Sequence, residues 1–478
     1  MVDYSPALMT DMYEYTMLDA ALKDGTADRK CVFEVFTRHL PEGRRYGVVA
    51  GTGRILDALE HFHLDEADLK FLADRHVVSP ETIKWLENFH FSGTIRGYRE
   101  GEMFFPNSPI LQVEGTFGEC TLLETLILSV LNYDSAVASA ASRMASAAKD
   151  RPCMDMGGRR TNEWAAVAAA RAAVVGGFKG TANLLAAQLY GLKAIGTAAH
   201  CFTLVHDSER DAFESQIEAL GKNTTLLVDT YNVLKSGVPN AIKAFKDILL
   251  PQGITNCAIR LDSGDLTYLS RKARKMLDAA GLTECKIVAS NSLDEYIIRD
   301  LLLQGAKIDS FGVGERLITS KSEPVFGGVY KLAAVEDKQG NIIPKIKISA
   351  NPDKITNPHF KKVYRLFDKE SGKAFADLIT LHDEAVDESQ PLELFDPDAT
   401  WKRSRVTNFT AKELLAPIFL GGRRVYDSPP IAEMRAYCAG QIDLLWDEVK
   451  RFENPHNYYV DLSQKLWDIK QSLLEQKG

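Results

Sequence analysis

The chain has 478 residues, 45% hydrophobic and 26% charged, with a formal net charge of −8 at pH 7, enough for two or three domains of ~150 residues around a large core. The charge is spread along the chain and no Lys/Arg stripe interleaved with aromatics occurs, which excludes nucleic acid as the expected partner. Seven scattered cysteines without a C-x-x-C pair exclude a disulfide framework and a zinc site and point to reduced thiols in a cytoplasmic compartment.

The opening MVDYSPALMTDMYEY has neither the basic start nor the apolar run of a secretory signal, and no stretch reaches the ~18 uninterrupted apolar residues of a membrane helix. Residues 31–36, 93–98 and 110–115 read as strands separated by helical segments. Between about 150 and 315 a βα alternation sets in. Its apolar runs are PCMDM (152–156), AVVGGF (173–178), LKAIG (192–196), TLLVD (225–229), CAIRLD (257–262), KIVAS (286–290) and KIDSFG (307–312). Helical segments at 162–173, 181–190, 265–280 and 293–304 fill the gaps, and the alanine-rich stretch 164–175 reads as a buried, tightly packed helix. Such alternation implies a parallel sheet, either closed into a barrel or open and doubly wound. Residues 325–350 and 361–381 alternate as antiparallel strands, with DKESGK (368–373) as a hairpin turn. From about 431 the chain reads as mostly helical, with Trp446 and Trp467 as packing anchors.

Polar residues that a core would not choose cluster just after the parallel strands, where ligands bind in α/β proteins. Among them, Asp155 follows the first strand, Asp229 the fourth and Ser290 the sixth. The paired Arg159 and Arg160 of GGRR precede a helix and suit a phosphate or carboxylate; an ordinary surface pair is the alternative. His200, in GTAAHCF, stands among small residues that leave room for a nucleotide, as a base or phosphoryl acceptor or as a structural histidine. IRLDSGDL places Arg260 at a strand end and Asp262 and Asp265 in the turn, for ribose hydroxyls or Mg²⁺, with helix capping by Ser263 and Asp265 as the competing reading. The glycines Gly312 and Gly314 of FGVGERL offer a backbone anion nest.

These segments closely resemble the nicotinate phosphoribosyltransferases over nearly the whole chain: TDMYEYTM (10–17), FEVFTRHLPEGR (33–44), EGTFGECTLLETLILSVLNY (114–133), then GGRR, GGFKGTANLLA, GTAAH, VDTYN, RLDSGDL, SNSLDE, FGVGERL and GGVYKL in the family's order. The resemblance implies an irregular βα barrel (1–15 and 130–330), a second mixed α/β sandwich domain (16–129 and 331–430) and a helical C-terminal segment (431–478). It implies a homodimer with shared sites, in which Tyr13 of one subunit and Phe178 of the other sandwich the pyridine ring. Thr197 and Arg260 match positions near the base and its carboxylate, and His200 matches the histidine that the family phosphorylates with ATP. Nicotinate, phosphoribosyl pyrophosphate and ATP are the implied ligands, with Mg²⁺ held mainly by substrate phosphates. The family often has Thr where Glu315 stands, and Phe where Met156 stands. Two other readings are a nicotinamide-specific enzyme, disfavoured because GLKAIGTAAH (191–200) lacks an acid to receive an amide, and a catalytically silent phosphate-ligand sensor on the same scaffold.

Overall fold

A computed structural model describes residues 6–321, 323–351 and 354–477. The chain divides into two compact units, Met1–Ala136 with Val325–Gly478, and Val137–Pro324.

The first unit is built on a seven-stranded antiparallel sheet. In its interior runs Lys30–Thr37, paired with Gly328–Glu336 on one side and the central strand Leu111–Thr116 on the other. All but its first residue are buried, so both faces are covered and the strand is nearly continuously apolar. Its one carboxylate, Glu34, is tolerated because Lys361 Nζ lies 2.8 Å away and Gln112 Nε2 donates at 2.7 Å; a buried charge persists only when paired and hydrogen-bonded. A four-stranded sheet carries the hairpin Lys361–Asp368 and Ala374–Leu381. Its turn closes where Asp368 accepts from the Ser371 amide at 2.7 Å and Gly372 takes a φ of +68°, the left-handed conformation that a side chain resists.

The C-terminal segment is mostly helical, as expected, with one short strand inserted. The helices Ile431–Leu444, Asp447–Lys450 and Gln464–Lys477 are interrupted by a strand, Tyr459–Leu462, that pairs parallel to Ala374–Leu381. Four residues leave too short a period to separate strand from helix end. Trp467 packs edge-on against Phe395, whereas Trp446 is 42% exposed and thus only partly buried.

The second unit contains a five-stranded parallel sheet in the order Cys153–Asp155, Ser310–Val313, Lys286–Ser290, Ala258–Leu261, Thr225–Leu227. Isolated parallel bridges continue it from Asp155 to Thr181 and on to Ala194. Among the described residues no pairing joins Ala194 to the Thr225–Leu227 edge, so the hydrogen-bonded sheet is open. The run AVVGGF is not a strand. The helix Glu163–Val175 continues into it, buried from Ala166 through Val175, because alanine is the strongest helix former and the stretch has no polar alternation to select a strand. Gly176 then lies against the Ala138 carbonyl so closely that a Cβ would sit 2.2 Å from its oxygen.

Candidate functional site

Every parallel strand delivers its carboxyl end to the same edge of the sheet, and the polar residues collect there. Arg260, on Ala258–Leu261, is the hub. Its Nε donates to Ser290 Oγ at 2.8 Å, Nη1 to Thr197 Oγ1 at 2.8 Å and Nη2 to Asp262 Oδ1 at 2.7 Å. A fourth, longer bond runs from Nη1 to the Ala198 carbonyl at 3.5 Å. A guanidinium has five N–H groups in a planar fork, so one N–H on Nη2 stays free for a ligand. These bonds join segments 63 and 30 residues apart in sequence, which fixes the guanidinium before any substrate arrives.

Asp262 is held from both ends. Its amide donates to Asp229 Oδ2 at 3.0 Å, while its carboxylate accepts from Ser290 Oγ as well as Arg260. Burial pushes its carboxyl up, but hydrogen bonds from Ser290 and Arg260, with the charges of Arg260 and His200, outweigh this and leave it below the usual aspartate range. Asp262 is therefore ionised at neutral pH. Ser263 Oγ also donates to Asp229, at 2.6 Å. The competing reading of this turn is thus divided between its two residues: Asp265 caps the helix Leu266–Ala279 through the Tyr268 amide at 2.7 Å, whereas Ser263 serves the site.

His200 begins the short helix His200–Leu204. Its Nδ1 lies 3.2 Å from Thr230 Oγ1, its Nε2 lies 4.0 Å from Asp229 Oδ1, and 42% of the side chain is exposed. From sequence, Asp229 has no assigned role beyond its place after the fourth strand. Its side chain is almost wholly buried, its Oδ2 organises the 262–263 turn, and its Oδ1 accepts no hydrogen bond. The signal was present in VDTYN, a carboxylate directly after a strand. Ser290 has the same character, and the two residues after it, Asn291 and Ser292, both take positive φ, +95° and +49°, a backbone state that non-glycine residues adopt at a cost and that concentrates at functional sites.

A second group lies where Cys153–Asp155 and Ser310–Val313 end side by side. The Met156 amide donates to the Val313 carbonyl at 2.8 Å, and the Met156 side chain lies against Gly312, where a Cβ would sit 2.4 Å from its Sδ and would need that flexible side chain to move. Gly314 precedes the four-residue helix Glu315–Ile318. Arg159 and Arg160 are exposed in the turn beside it, and neither guanidinium hydrogen-bonds any described residue. The amides of the following helix are not open to a ligand at every position, since Asn162 Oδ1 already accepts from Trp164 and Ala165. Glu315 is exposed and turned to Lys321, 2.6 Å away, whose hydrogen bond and charge lower its pKa. Its negative charge is thereby compensated locally. Asp155 is structural: buried, bonded to Thr181 Oγ1 at 2.6 Å and the Gly157 amide at 2.9 Å, with burial raising its pKa.

Two residues of the expected aromatic pair are placed differently. Phe178 is fully buried in the second unit, so neither ring face is presented to solvent. Tyr13 lies on the helix Met12–Asp24 of the first unit, 42% exposed, with burial and a hydrogen bond to Glu124 raising its phenol pKa.

Among the described residues no cluster of three or more His, Cys, Asp or Glu is arranged to hold a metal ion, and no helix is long and apolar enough to cross a membrane.

Three family models match successive parts of the chain: the nicotinate phosphoribosyltransferase N-terminal domain over residues 8–132, the nicotinate phosphoribosyltransferase family over 152–378 and the C-terminal domain over 360–470. The nicotinate phosphoribosyltransferase of Bacillus subtilis is 40% identical over 469 residues, covering 98% of this chain and 95% of that protein. Nicotinate phosphoribosyltransferase pncB1 of Mycobacterium tuberculosis is 52% identical over 337 residues, 69% of this chain and 72% of that protein. The crystal structure of human nicotinic acid phosphoribosyltransferase superposes with a TM-score of 0.83 at 28% identity, covering 97% of this chain and 99% of that one.

Proposed function

The chain belongs to the nicotinate phosphoribosyltransferase family, and on that premise we propose that it joins nicotinate to phosphoribosyl pyrophosphate in NAD biosynthesis, forming nicotinate mononucleotide and pyrophosphate with ATP hydrolysis coupled to the transfer. The observation that carries this reading is the Arg260 hub, a cation held by three short hydrogen bonds with one N–H left over. A pyridine carboxylate is the natural acceptor for it, and an uncharged amide gains much less.

In the proposed reaction the nicotinate nitrogen attacks C1 of the ribose and pyrophosphate leaves through an oxocarbenium-like state. The protein's part is positioning and charge compensation. Arg260 and Thr197 receive the carboxylate, and the ionised Asp262 orients the ribose hydroxyls. Arg159 and Arg160, with the backbone at Gly312 and Gly314, receive phosphate. His200 accepts the γ-phosphoryl group of ATP, with Asp229 setting the imidazole's orientation. Phe178 comes to stack on the pyridine ring once its enclosing side chains give way, and Tyr13 of a second subunit covers the other face, making the working enzyme a homodimer. Mg²⁺, when bound with the substrates, neutralises the departing pyrophosphate. Among the described residues no cluster of side chains is arranged to hold the ion by itself, so it would be held mainly by phosphate oxygens. On this reading the open sheet is the larger arc of an irregular barrel, and the enzyme works in the cytoplasm.

The test is product analysis with nicotinate and nicotinamide in parallel, each with phosphoribosyl pyrophosphate, with and without ATP. Nicotinate mononucleotide formed in preference, and stimulated by ATP, is the expected result; equal use of the amide would overturn the assignment.

A further inference from the structure

A cavity of about 930 Å³ lies wholly within the first unit, walled by the end of the Lys30–Thr37 strand, the turn at Pro106, the loop from Asp396 to Lys402 and the segment from Arg451 to Leu462. That volume matches a nucleotide-sized ligand. None of the residues assigned to transfer lines it.

Its charge is asymmetric. Arg38 makes no hydrogen bond or ion pair among the described residues. Arg45 gives Nη1 to the Arg44 carbonyl at 3.1 Å, and its buried Nε has no partner. Arg451 donates Nε only to the Glu448 carbonyl at 3.3 Å, and Lys470 donates only to Asn357 Oδ1 at 2.9 Å. Four cations thus face one cavity with no carboxylate within ion-pairing distance. The carboxylates lining it are largely compensated: Glu34 is bonded to Lys361, Asp396 lies 3.5 Å from Lys402, and burial together with the Asp396 charge pushes Asp461 up to about 7. Asp398 also lines the cavity and interacts electrostatically with Lys470, without an ion pair at contact distance. Aromatic surface completes the wall. The Tyr458 ring is stacked on Phe105 with centroids 3.7 Å apart and is fixed by its hydroxyl bond to Asp377, while Tyr459 is 47% exposed beside His456. Unpaired arginines recognise phosphoryl oxygens through their planar fork, and exposed aromatic rings suit a heterocyclic base.

We propose that this cavity is a second ligand site, which binds a phosphate-bearing molecule of nucleotide size through Arg38, Arg45, Arg451 and Lys470. It is separate from the residues assigned to phosphoribosyl transfer.

The test is titration calorimetry on the full chain with two probes, ADP and inorganic pyrophosphate, in a His200→Ala/Arg260→Ala background that disables the proposed transfer site. One equivalent of ADP per chain still binds in that background. Adding Arg451→Ser and Lys470→Met weakens it by about tenfold or more, as the loss of two charge-assisted bonds requires. Both substitutions are at half-buried or exposed positions, so a native near-ultraviolet circular dichroism spectrum is expected, and Arg38→Glu on a different segment gives an independent second loss. Tighter binding of ADP than of pyrophosphate identifies a nucleotide as the ligand; equal binding identifies the phosphate chain alone. Loss of all binding in the background variant, or affinity unchanged by the cavity substitutions, overturns the proposal. Neither outcome bears on the transfer reaction, which is read from product formation by the unaltered enzyme.

Discussion

Asp229 presents Oδ1 to Nε2 of His200 across 4.0 Å, and that oxygen accepts no hydrogen bond. A small movement of the imidazole closes the gap. A carboxylate there accepts from Nε2–H and so holds the neutral tautomer with Nδ1 as the nucleophile, and it stabilises the positive charge that develops on the ring as the phosphoryl group is taken up. Asp229→Asn preserves an acceptor for the Asp262 amide and Ser263 hydroxyl, so the fold survives. Phosphoenzyme formation from γ-labelled ATP then slows by about tenfold to a hundredfold, the usual cost of removing a group that orients a histidine. An unchanged rate would confine Asp229 to holding the 262–263 turn.

His200→Ala abolishes phosphoenzyme and ATP hydrolysis and leaves the circular dichroism spectrum intact, because the residue is partly exposed and begins a five-residue helix. Some ATP-independent transfer remains, since Arg260 and Asp262 keep their partners. Label at wild-type stoichiometry on the folded variant would remove His200 as acceptor. His206 would become the candidate, although its Nδ1 is already 2.7 Å from the Phe202 carbonyl.

Base choice follows from Arg260. Arg260→Lys cannot reach Ser290, Thr197 and Asp262 together, because an ammonium lacks the planar fork. The loss of one charge-assisted bond to substrate, about 1.5–3 kcal/mol, lowers kcat/KM for nicotinate by roughly tenfold to a hundredfold. The value for nicotinamide changes much less. Steady-state kinetics on both bases checks this, and a parallel fall for the two would assign Arg260 to scaffolding.

Subunit mixing examines Tyr13. Tyr13→Ala and His200→Ala chains, each inactive in coupled turnover, are exchanged in one preparation. If Tyr13 serves a neighbour's site, a hybrid dimer contains one site with both residues intact and coupled activity returns. No recovery after exchange shown by native mass spectrometry would place Tyr13 within its own chain's chemistry or outside it.

Asp461 gives a pH dependence of stability. Its folded pKa is raised from 3.8 to about 7 by burial and by Asp396, so the folded state favours the protonated acid. Its contribution is present below the unfolded pKa and is lost as pH rises from about 4 through about 7. Asp461→Asn removes that loss. The variant's Tm relative to wild type should therefore be more favourable at pH 8 than at pH 4, measured by calorimetry at both values; a constant difference would show that Asp461 is not protonated in the folded chain.

Much of this arrangement could be read from the chain. RLDSGDL and SNSLDE each place polar side chains at the end of an apolar run, and the strands Ala258–Leu261 and Lys286–Ser290 fall close to those runs, whereas the run before GTAAH forms only an isolated bridge at Ala194. What failed had physical causes. AVVGGF and the alanine-rich helix before it share one composition, so only the packing of Gly176 on Ala138 shows where the helix stops. Trp446 looked like an anchor because indoles usually bury, yet burial depends on a partner surface that local sequence does not specify. Asp229 was visible as a residue but not as a role, since its meaning comes from partners more than 30 residues away. Phe178 matched a family position, while its enclosure is a property of the packed unit.

The consecutive positive φ angles at Asn291 and Ser292 bear on how far this protein can be stabilised. They stop the strand immediately after Ser290 and aim its hydroxyl at Asp262, instead of letting the chain continue along the sheet. Each such residue costs on the order of 1–3 kcal/mol. Glycine at either position would relieve that strain while releasing the aim of Ser290, and with it the setting of Arg260. Selection for heat resistance alone would therefore tend to erode the site at this corner, and thermostable variants that keep their activity should retain side chains at both positions.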